Sequence, residues 1–193
     1  MLYYTGIGSQ KTPPEICQIM VQLGDQLART GWILRSGYAD GADKAFYCGA
    51  SRAHGLFENY LPWRGFNNAP SCKGFIVPDM HIDPDLVFKA RQMAEHFHPQ
   101  WSACSQGARK LHTRNCFQVY GKRLDDPSEM VICWTPRGAG GGGTGQALRI
   151  SKAIRLPIFD LAIPGKLNEL HEFLDKVQHE TRFREDILDE RER

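Results

Sequence analysis

Between Met130-Val-Ile-Cys-Trp134 and Ala147-Leu-Arg-Ile150 lies Gly138–Gln146, which reads Gly-Ala-Gly-Gly-Gly-Gly-Thr-Gly-Gln. The apolar run before it has the form of a buried strand, and the residues after it have the form of a helix. A glycine-rich loop therefore joins the carboxyl end of a strand to the start of a helix. Glycines let a backbone approach a ligand with no side chain in the way. The first N–H groups of the helix lack intrahelical acceptors, and the helix dipole favours an anion there.

The chain has 193 residues, which fits one α/β domain, and 41% of them are hydrophobic, enough to bury a core. A net charge of +2, from 24 basic and 22 acidic residues, argues against a general nucleic-acid coat. No apolar run is long enough to span a membrane. The start, Met1-Leu-Tyr-Tyr-Thr-Gly6, lacks the basic and apolar regions of a signal peptide, so a cytoplasmic location is expected. Cys17, Cys48, Cys72, Cys104, Cys116 and Cys133 include no Cys-x-x-Cys pair. Reduced core cysteines are expected, not a disulfide framework or a zinc site.

The remaining pattern alternates strands and helices. A first strand, Leu2 to Thr5, ends at Gly6-Ile-Gly-Ser9. Thr12-Pro-Pro-Glu15 has the form of a capping box, with Thr12 as the cap. Ile16, Ile19, Met20, Leu23 and Leu27 follow at helical spacing, and Gly31 is a natural stop. Trp32 to Leu34 is a second strand, after which Asp40 can cap a helix to about Ala53. Leu56 to Trp63 carries a third strand. Residues 64–83 are rich in Gly, Pro and Asn and predict an irregular segment or lid, with one short strand at Gly74 to Val77. Helices are expected from Asp83-Pro84 to Pro99 and from Ser102 to Tyr120. Strands at Glu129 to Trp134 and Pro157 to Leu161 flank the glycine loop and its helix. Leu167 to Val177 is amphipathic. The domain is expected to span residues 1–178, followed by a charged tail, 179–193.

Such alternation predicts a Rossmann-like, doubly wound, mostly parallel sheet of about five strands. Ligands of these folds bind beyond the carboxyl ends of the strands. Four turns reach that edge: 6–10, 36–43, 62–65 and 135–146. The candidate ligand-binding residues are Gly8, Ser9, Gln10, Ser36, Gly37, Asp40, Trp63, Thr135, Gly141, Gly142, Gly143, Thr144, Gly145 and Gln146, with Arg114 and Asn115 from a helix. An arginine there suits a phosphate, Asn115 a base or ribose, and Trp63 a stacked base. Gly138, Gly140 and Gly143 match G-x-G-x-x-G literally, but the dinucleotide fingerprint belongs at a first strand-to-helix turn. No Gly-Lys-Ser/Thr follows a glycine turn, so a Walker A loop is absent. His96 and His98 are too close to share a helical face and have no obvious third ligand. Neither a metal site nor a resident cofactor is expected.

Three motifs together resemble the SLOG superfamily, which joins the DNA-processing protein DprA (Smf) with the LOG, or "lysine decarboxylase-like", phosphoribohydrolases. They are Gly6-Ile-Gly-Ser9, Ser36-Gly-Tyr-Ala-Asp-Gly-Ala-Asp43 and Gly142-Gly-Thr-Gly145. His112-Thr-Arg-Asn115 precedes the last of them, in the order of the LOG motifs. The resemblance spans roughly residues 2 to 162. It implies a nucleotide-type pocket and a homodimer or higher homo-oligomer. Compact stand-alone versions of this kind are often phage-encoded, and the resemblance carries that expectation with it.

The chain departs from the family pattern at four places. Gln10 stands where DprA-like sequences have arginine, and Tyr38 replaces a glycine. Gln146 replaces the threonine of the LOG motif, and Arg149 falls on its glutamate. That glutamate supports cleavage of an N-glycosidic bond through a cation-like sugar, which a guanidinium opposes. Asp40 and Asp43 are the candidate replacement carboxylates. The leading expectation is binding of a phosphorylated nucleotide or nucleotide-derived signal, by a sensor or a sequestering protein. The alternatives are a nucleoside-monophosphate phosphoribohydrolase and a DprA-like binder of single-stranded DNA. Arg109, Lys110, Arg114, Lys122 and Arg123 give the last of these some basic density.

Overall fold

In a computed structural model, residues 1–191 are described, with side chains through 180. Six strands form one all-parallel sheet: β1 (Leu2–Gly8), β2 (Trp32–Ser36), β3 (Phe57–Tyr60), β4 (Phe75–Ile76), β5 (Met130–Trp134) and β6 (Ile158–Asp160). Their order is β4-β3-β2-β1-β5-β6. The chain winds outward from β1 through β4, then returns to lay β5 along the other side of β1, pairing Tyr4 with Met130 and Gly8 with Trp134. The switch in strand order therefore falls between β1 and β5, where open α/β sheets leave a crevice.

Both faces are covered, as a parallel sheet requires. On one face α1 (Pro14–Arg29), α2 (Ala42–Arg52) and α7 (Lys166–Arg191) pack around Tyr4, Leu34, Met130 and Ile132. On the other, α4 (Pro84–His96), α5 (Gln106–Tyr120) and α6 (Gly142–Ala153) pack around Ile7, Val131 and Cys133. Met130 and Ile132 face one layer while Val131 and Cys133 face the other, the period of two that strands impose. This is a single Rossmann-like, doubly wound α/β domain, as the alternation of elements predicts.

The differences from the sequence reading lie mainly at element ends. The capping box at Thr12 does not form. Pro13 takes the N-cap position, and Thr12 Oγ1 donates to the Ser9 carbonyl at 2.6 Å. Asp40 does not cap α2 either. Gly41, at φ 80°, turns the chain into the helix and leaves Asp40 outside, paired with Lys44 at 2.7 Å. The helix expected from Ser102 begins instead at Gln106, where Ser105 Oγ accepts the Ala108 N–H. Residues 64–83 contain the short strand expected there, β4, paired parallel with β3, and in addition the short α3 (Pro78–His81), which was not expected. Of the expected tail, 179–191 continue α7 in backbone, while the side chains of 181–193 lie outside the described part. The cysteines are free, but not all are core: Cys48 and Cys72 are exposed.

β2 runs two residues beyond Leu34 because Arg35 finds partners inside the fold. Its guanidinium is 2% exposed, pairs with Glu58 at 2.9 Å and Asp126 at 3.0 Å, and lies 3.6 Å from the centre of the Tyr3 ring. Removing a buried charge that holds such partners is costly, less so here because Asp126 remains in solvent. Arg35→Ala is expected to lower stability by about 2–4 kcal/mol, read from urea unfolding.

Candidate functional site

The carboxyl ends of β1 and β5 open into a cleft of about 600 Å³. Three segments build its walls. The turn after β1 contributes Gly8, Ser9, Gln10 and Lys11. The glycine loop contributes Pro136, Arg137, Ala139 and Gly141 to Thr144. The buried helix α5 contributes Leu111, His112, Arg114, Asn115 and Gln118. Asp43, at the start of α2, and Phe66 also line it.

The glycine loop is fixed from below. The peptide N–H of Thr135 donates to Asp160 at 3.0 Å, and its hydroxyl donates to the other oxygen of the same carboxylate. That hydroxyl in turn accepts the Gly140 N–H at 3.0 Å. Asp160 thus anchors the root of the loop to the end of β6. At the rim, Asn115 Nδ2 donates to the Gly143 carbonyl at 3.1 Å and to Gln146 Oε1 at 3.0 Å, tying α5 to the first turn of α6. Gly142 sits at φ 65°, a conformation costly for a residue with a Cβ. A Cβ at Gly141, Gly142 or Gly143 would meet no atom within 4 Å, so these glycines border open space. The first intrahelical bond of α6 runs from the Gly145 N–H to the Gly141 carbonyl. The N–H groups of Gly142, Gly143 and Thr144 precede it and have no acceptor within the helix.

Below this rim lies a buried ion pair. Arg114 and Asp43, 7% and 3% exposed at their side chains, approach to 3.7 Å, and Asp43 Oδ1 accepts the Gly8 N–H at 3.1 Å. Gly37 is where the strand end must lack a side chain, because a Cβ there would fall 1.4 Å from an Arg114 nitrogen. Burial pushes the Asp43 carboxyl up to about 6, opposed by the Arg114 guanidinium and by the N–H groups of Gly8, Ala39 and Gly37. Burial also lowers the Arg114 guanidinium from its ordinary value, against the pull of Asp43. His112 is pushed down to about 4, chiefly by burial and then by His98; Gln146 opposes the shift, and Arg114 and Arg149 add to it. Three buried side chains of the α5 wall hold nitrogens without a partner: Arg114 Nε, His112 Nδ1 and Gln118 Nε2. Buried polar groups are nearly always satisfied, so such a cluster marks a place built for a further polar group.

Of the residues singled out in the sequence, Gly8, Ser9, Gln10, Asp43, Arg114, Asn115, Gly141, Gly142, Gly143 and Thr144 line the cleft. The others do not. Ser36 is buried and spends its hydroxyl on the Gly6 carbonyl. Gly37 lies behind Arg114, and Thr135 is the loop anchor. Gly145 and Gln146 face inward, packed on Gly140 and against Asn115. Asp40 points to solvent. Trp63 is 40% exposed and packs edge-on against Phe66, which takes the place at the cleft expected of the tryptophan. Arg149, which stands where the similar LOG motif has a glutamate, is also outside the lining, with Nε donating to the Phe97 carbonyl at 2.7 Å. Lys11, Arg137, His112 and Gln118 were not foreseen. The first two flank glycine turns, where a cation is an available signal. The last two are polar residues buried on α5, and no motif of the sequence marks them as lining.

No protein-family model matches this sequence, and no curated protein matches it. Several solved structures are similar in fold. One is the Moco carrier protein of Chlamydomonas rheinhardtii, with 17% identity and a TM-score of 0.47 over 81% of this chain and 72% of that one. Another is a molybdenum cofactor binding protein from Rippkaea orientalis, with 16% identity and a TM-score of 0.44 over 90% and 96%. A third is DNA processing protein A from Helicobacter pylori, a single-stranded DNA binder, with 18% identity and a TM-score of 0.42 over 91% and 81%. The function of the cleft is argued below from its own residues.

Asp43 also sets a pH signature. Its folded value, about 6, lies above the ordinary 3.8, so its contribution to stability is full below about pH 3.8 and is lost as the pH rises through about 6. Replacing it with Asn removes that loss. The stability of Asp43→Asn relative to wild type should therefore rise between pH 4.5 and pH 7, measured by urea unfolding at the two values.

Proposed function

We propose that the cleft binds a phosphorylated nucleotide or nucleotide-derived molecule, as the site of a sensor or sequestering protein. The observation that carries this reading is the pairing of an anion-binding rim with a polar buried wall. The unpaired N–H groups at the start of α6 and the cations Lys11 and Arg137 suit a phosphate. Gln118 offers its carboxamide and Asn115 its Oδ1 to a sugar or base, and Phe66 and Leu111 offer apolar surface. The volume falls in the range of small-molecule pockets.

Asp43 favours a second reading, cleavage of the N-glycosidic bond of such a nucleotide. Among the described residues it is the one carboxylate that lines the cleft, and its raised pKa is of the kind found in groups that exchange protons near neutrality. Against it, Asp43 is held by Arg114 and Gly8, and Arg149 stands outside the cleft. The reading as a single-stranded DNA binder has less support, because most of the basic residues between 109 and 123 are engaged. Arg109 lies over Trp101, Lys110 pairs with Asp79, Arg114 with Asp43 and Arg123 with Asp125.

Titration calorimetry with a panel of nucleoside mono- and diphosphates and cyclic nucleotides tests the binding reading. Gly143→Ala places a methyl in open space and is expected to bind as wild type does. Gly143→Asp puts a carboxylate at the rim and should weaken binding by about tenfold or more with the fold retained. Equal affinity in all three proteins, or no binding to any member of the panel, removes the reading. Release of free base over many turnovers, lost in Asp43→Asn, would replace it with the hydrolase.

A further inference from the structure

Three metal-ligating side chains meet beside the cleft. His98 follows the end of α4, Cys104 follows a short helical turn at Trp101–Ala103, and His112 projects from α5. Their ligand atoms all lie within 4.8 Å of one another, a grouping found here among the described residues. Cys104 Sγ is 3.6 Å from His98 Nδ1 and 3.8 Å from its Nε2, and the two imidazole centres are 4.3 Å apart. Tetrahedral zinc, with Zn–S of about 2.3 Å and Zn–N of about 2.0–2.1 Å, places sulfur and nitrogen roughly 3.5 Å apart. The Cys104–His98 spacing is close to that figure; because Sγ is almost equidistant from both ring nitrogens, a turn of the His98 ring is what aims one of them at a shared ion.

A second observation points the same way. His112 is 9% exposed, and its Nδ1 is buried with no hydrogen-bond partner. A core histidine with a structural role ordinarily satisfies both ring nitrogens. On His98, the Gln100 N–H reaches Nδ1 at 3.2 Å, which marks that nitrogen as the one carrying a lone pair in the neutral ring. A metal ion there would take over that long contact. The Trp101 ring packs beside both imidazoles, at 6.2 and 6.5 Å, and shields the cluster on one side.

We propose that His98, Cys104 and His112 form a three-ligand site for a borderline-soft divalent cation such as Zn²⁺. On binding, Cys104 coordinates as the thiolate and gives its proton to solvent. One thiolate and two neutral imidazoles leave a single net positive charge. The nearby cations are already engaged, Arg149 on the Phe97 carbonyl and Arg114 on Asp43. Three protein ligands leave the fourth tetrahedral position for a water or an oxygen of another molecule, the pattern of reactive rather than purely structural zinc sites. His112 belongs both to the triad and to the cleft wall. The metal thus adds a Lewis acid to the edge of the cleft. The triad stands whether or not the cleft takes a nucleotide.

Cobalt(II) added to the metal-free, fully reduced protein tests the site, because a thiolate bound to cobalt gives a near-ultraviolet charge-transfer band. One equivalent per chain, with that band, is expected for wild type. The band should vanish in Cys104→Ser and persist in Cys48→Ser and Cys72→Ser, which change exposed thiols. His98→Asn, outside the regular helices, should weaken binding by about tenfold or more while circular dichroism stays that of wild type. Zinc should displace the cobalt and raise the melting temperature of wild type but not of Cys104→Ser. No charge-transfer band in wild type, or an equal band in Cys104→Ser, would overturn the proposal. So would undiminished affinity in a folded His98→Asn protein.

Discussion

The six-stranded sheet is parallel throughout, and a parallel sheet must be covered on both faces. Crossover helices provide that cover, and they send every strand in the same direction. All carboxyl ends therefore fall on one edge. Because the chain winds outward from β1 and later returns to its other side, the loops after β1 and β5 diverge and leave the cleft between them. The position of the site is thus a consequence of how the sheet is buried.

The interior of the cleft depends on a second constraint, the placing of charge in a buried helix. α5 carries His112, Arg114, Asn115 and Gln118, all at most 9% exposed. An isolated guanidinium in such a place is costly, and Asp43 on α2 offsets part of that cost from across the end of the sheet. Gly37 and Gly8 make the approach feasible, one by lacking a Cβ and the other by offering its N–H. Asp160 does the equivalent for the glycine loop through Thr135. The rim is therefore held by hydrogen bonds to sheet ends, which position backbone donors more firmly than a free loop would.

The alternation of strands and helices was legible because each signal is local: an apolar run, a period of 3.6, a glycine stop. The turns after β1, β2 and β5 were legible for the same reason. Caps were less so. Thr12 and Asp40 have the right chemistry at plausible positions, yet the hydroxyl of one bonds the Ser9 carbonyl and Gly41 turns the other outward. Aromatic placement also failed as a local signal, since Trp63 and Phe66 pack together and only their packing decides which borders the cleft. His112 stands in the sequence only as part of the His112-Thr-Arg-Asn115 motif, and it is both buried and on the cleft wall, a combination that appears only when α5 is set against the glycine loop.

By itself the sequence determined the fold class, the direction of the sheet and the edge that carries the cleft. Hydrophobic period and glycine placement are properties of short segments and need no knowledge of what packs against them. Tertiary structure alone decided which polar residues meet. Asp43 and Arg114 are 71 positions apart in sequence, and Thr135 and Asp160 are 25 apart. His98, Cys104 and His112 come from the end of one helix, a turn and the middle of another. Contacts of that kind arise from the crossing of elements over the sheet, and no local pattern encodes them.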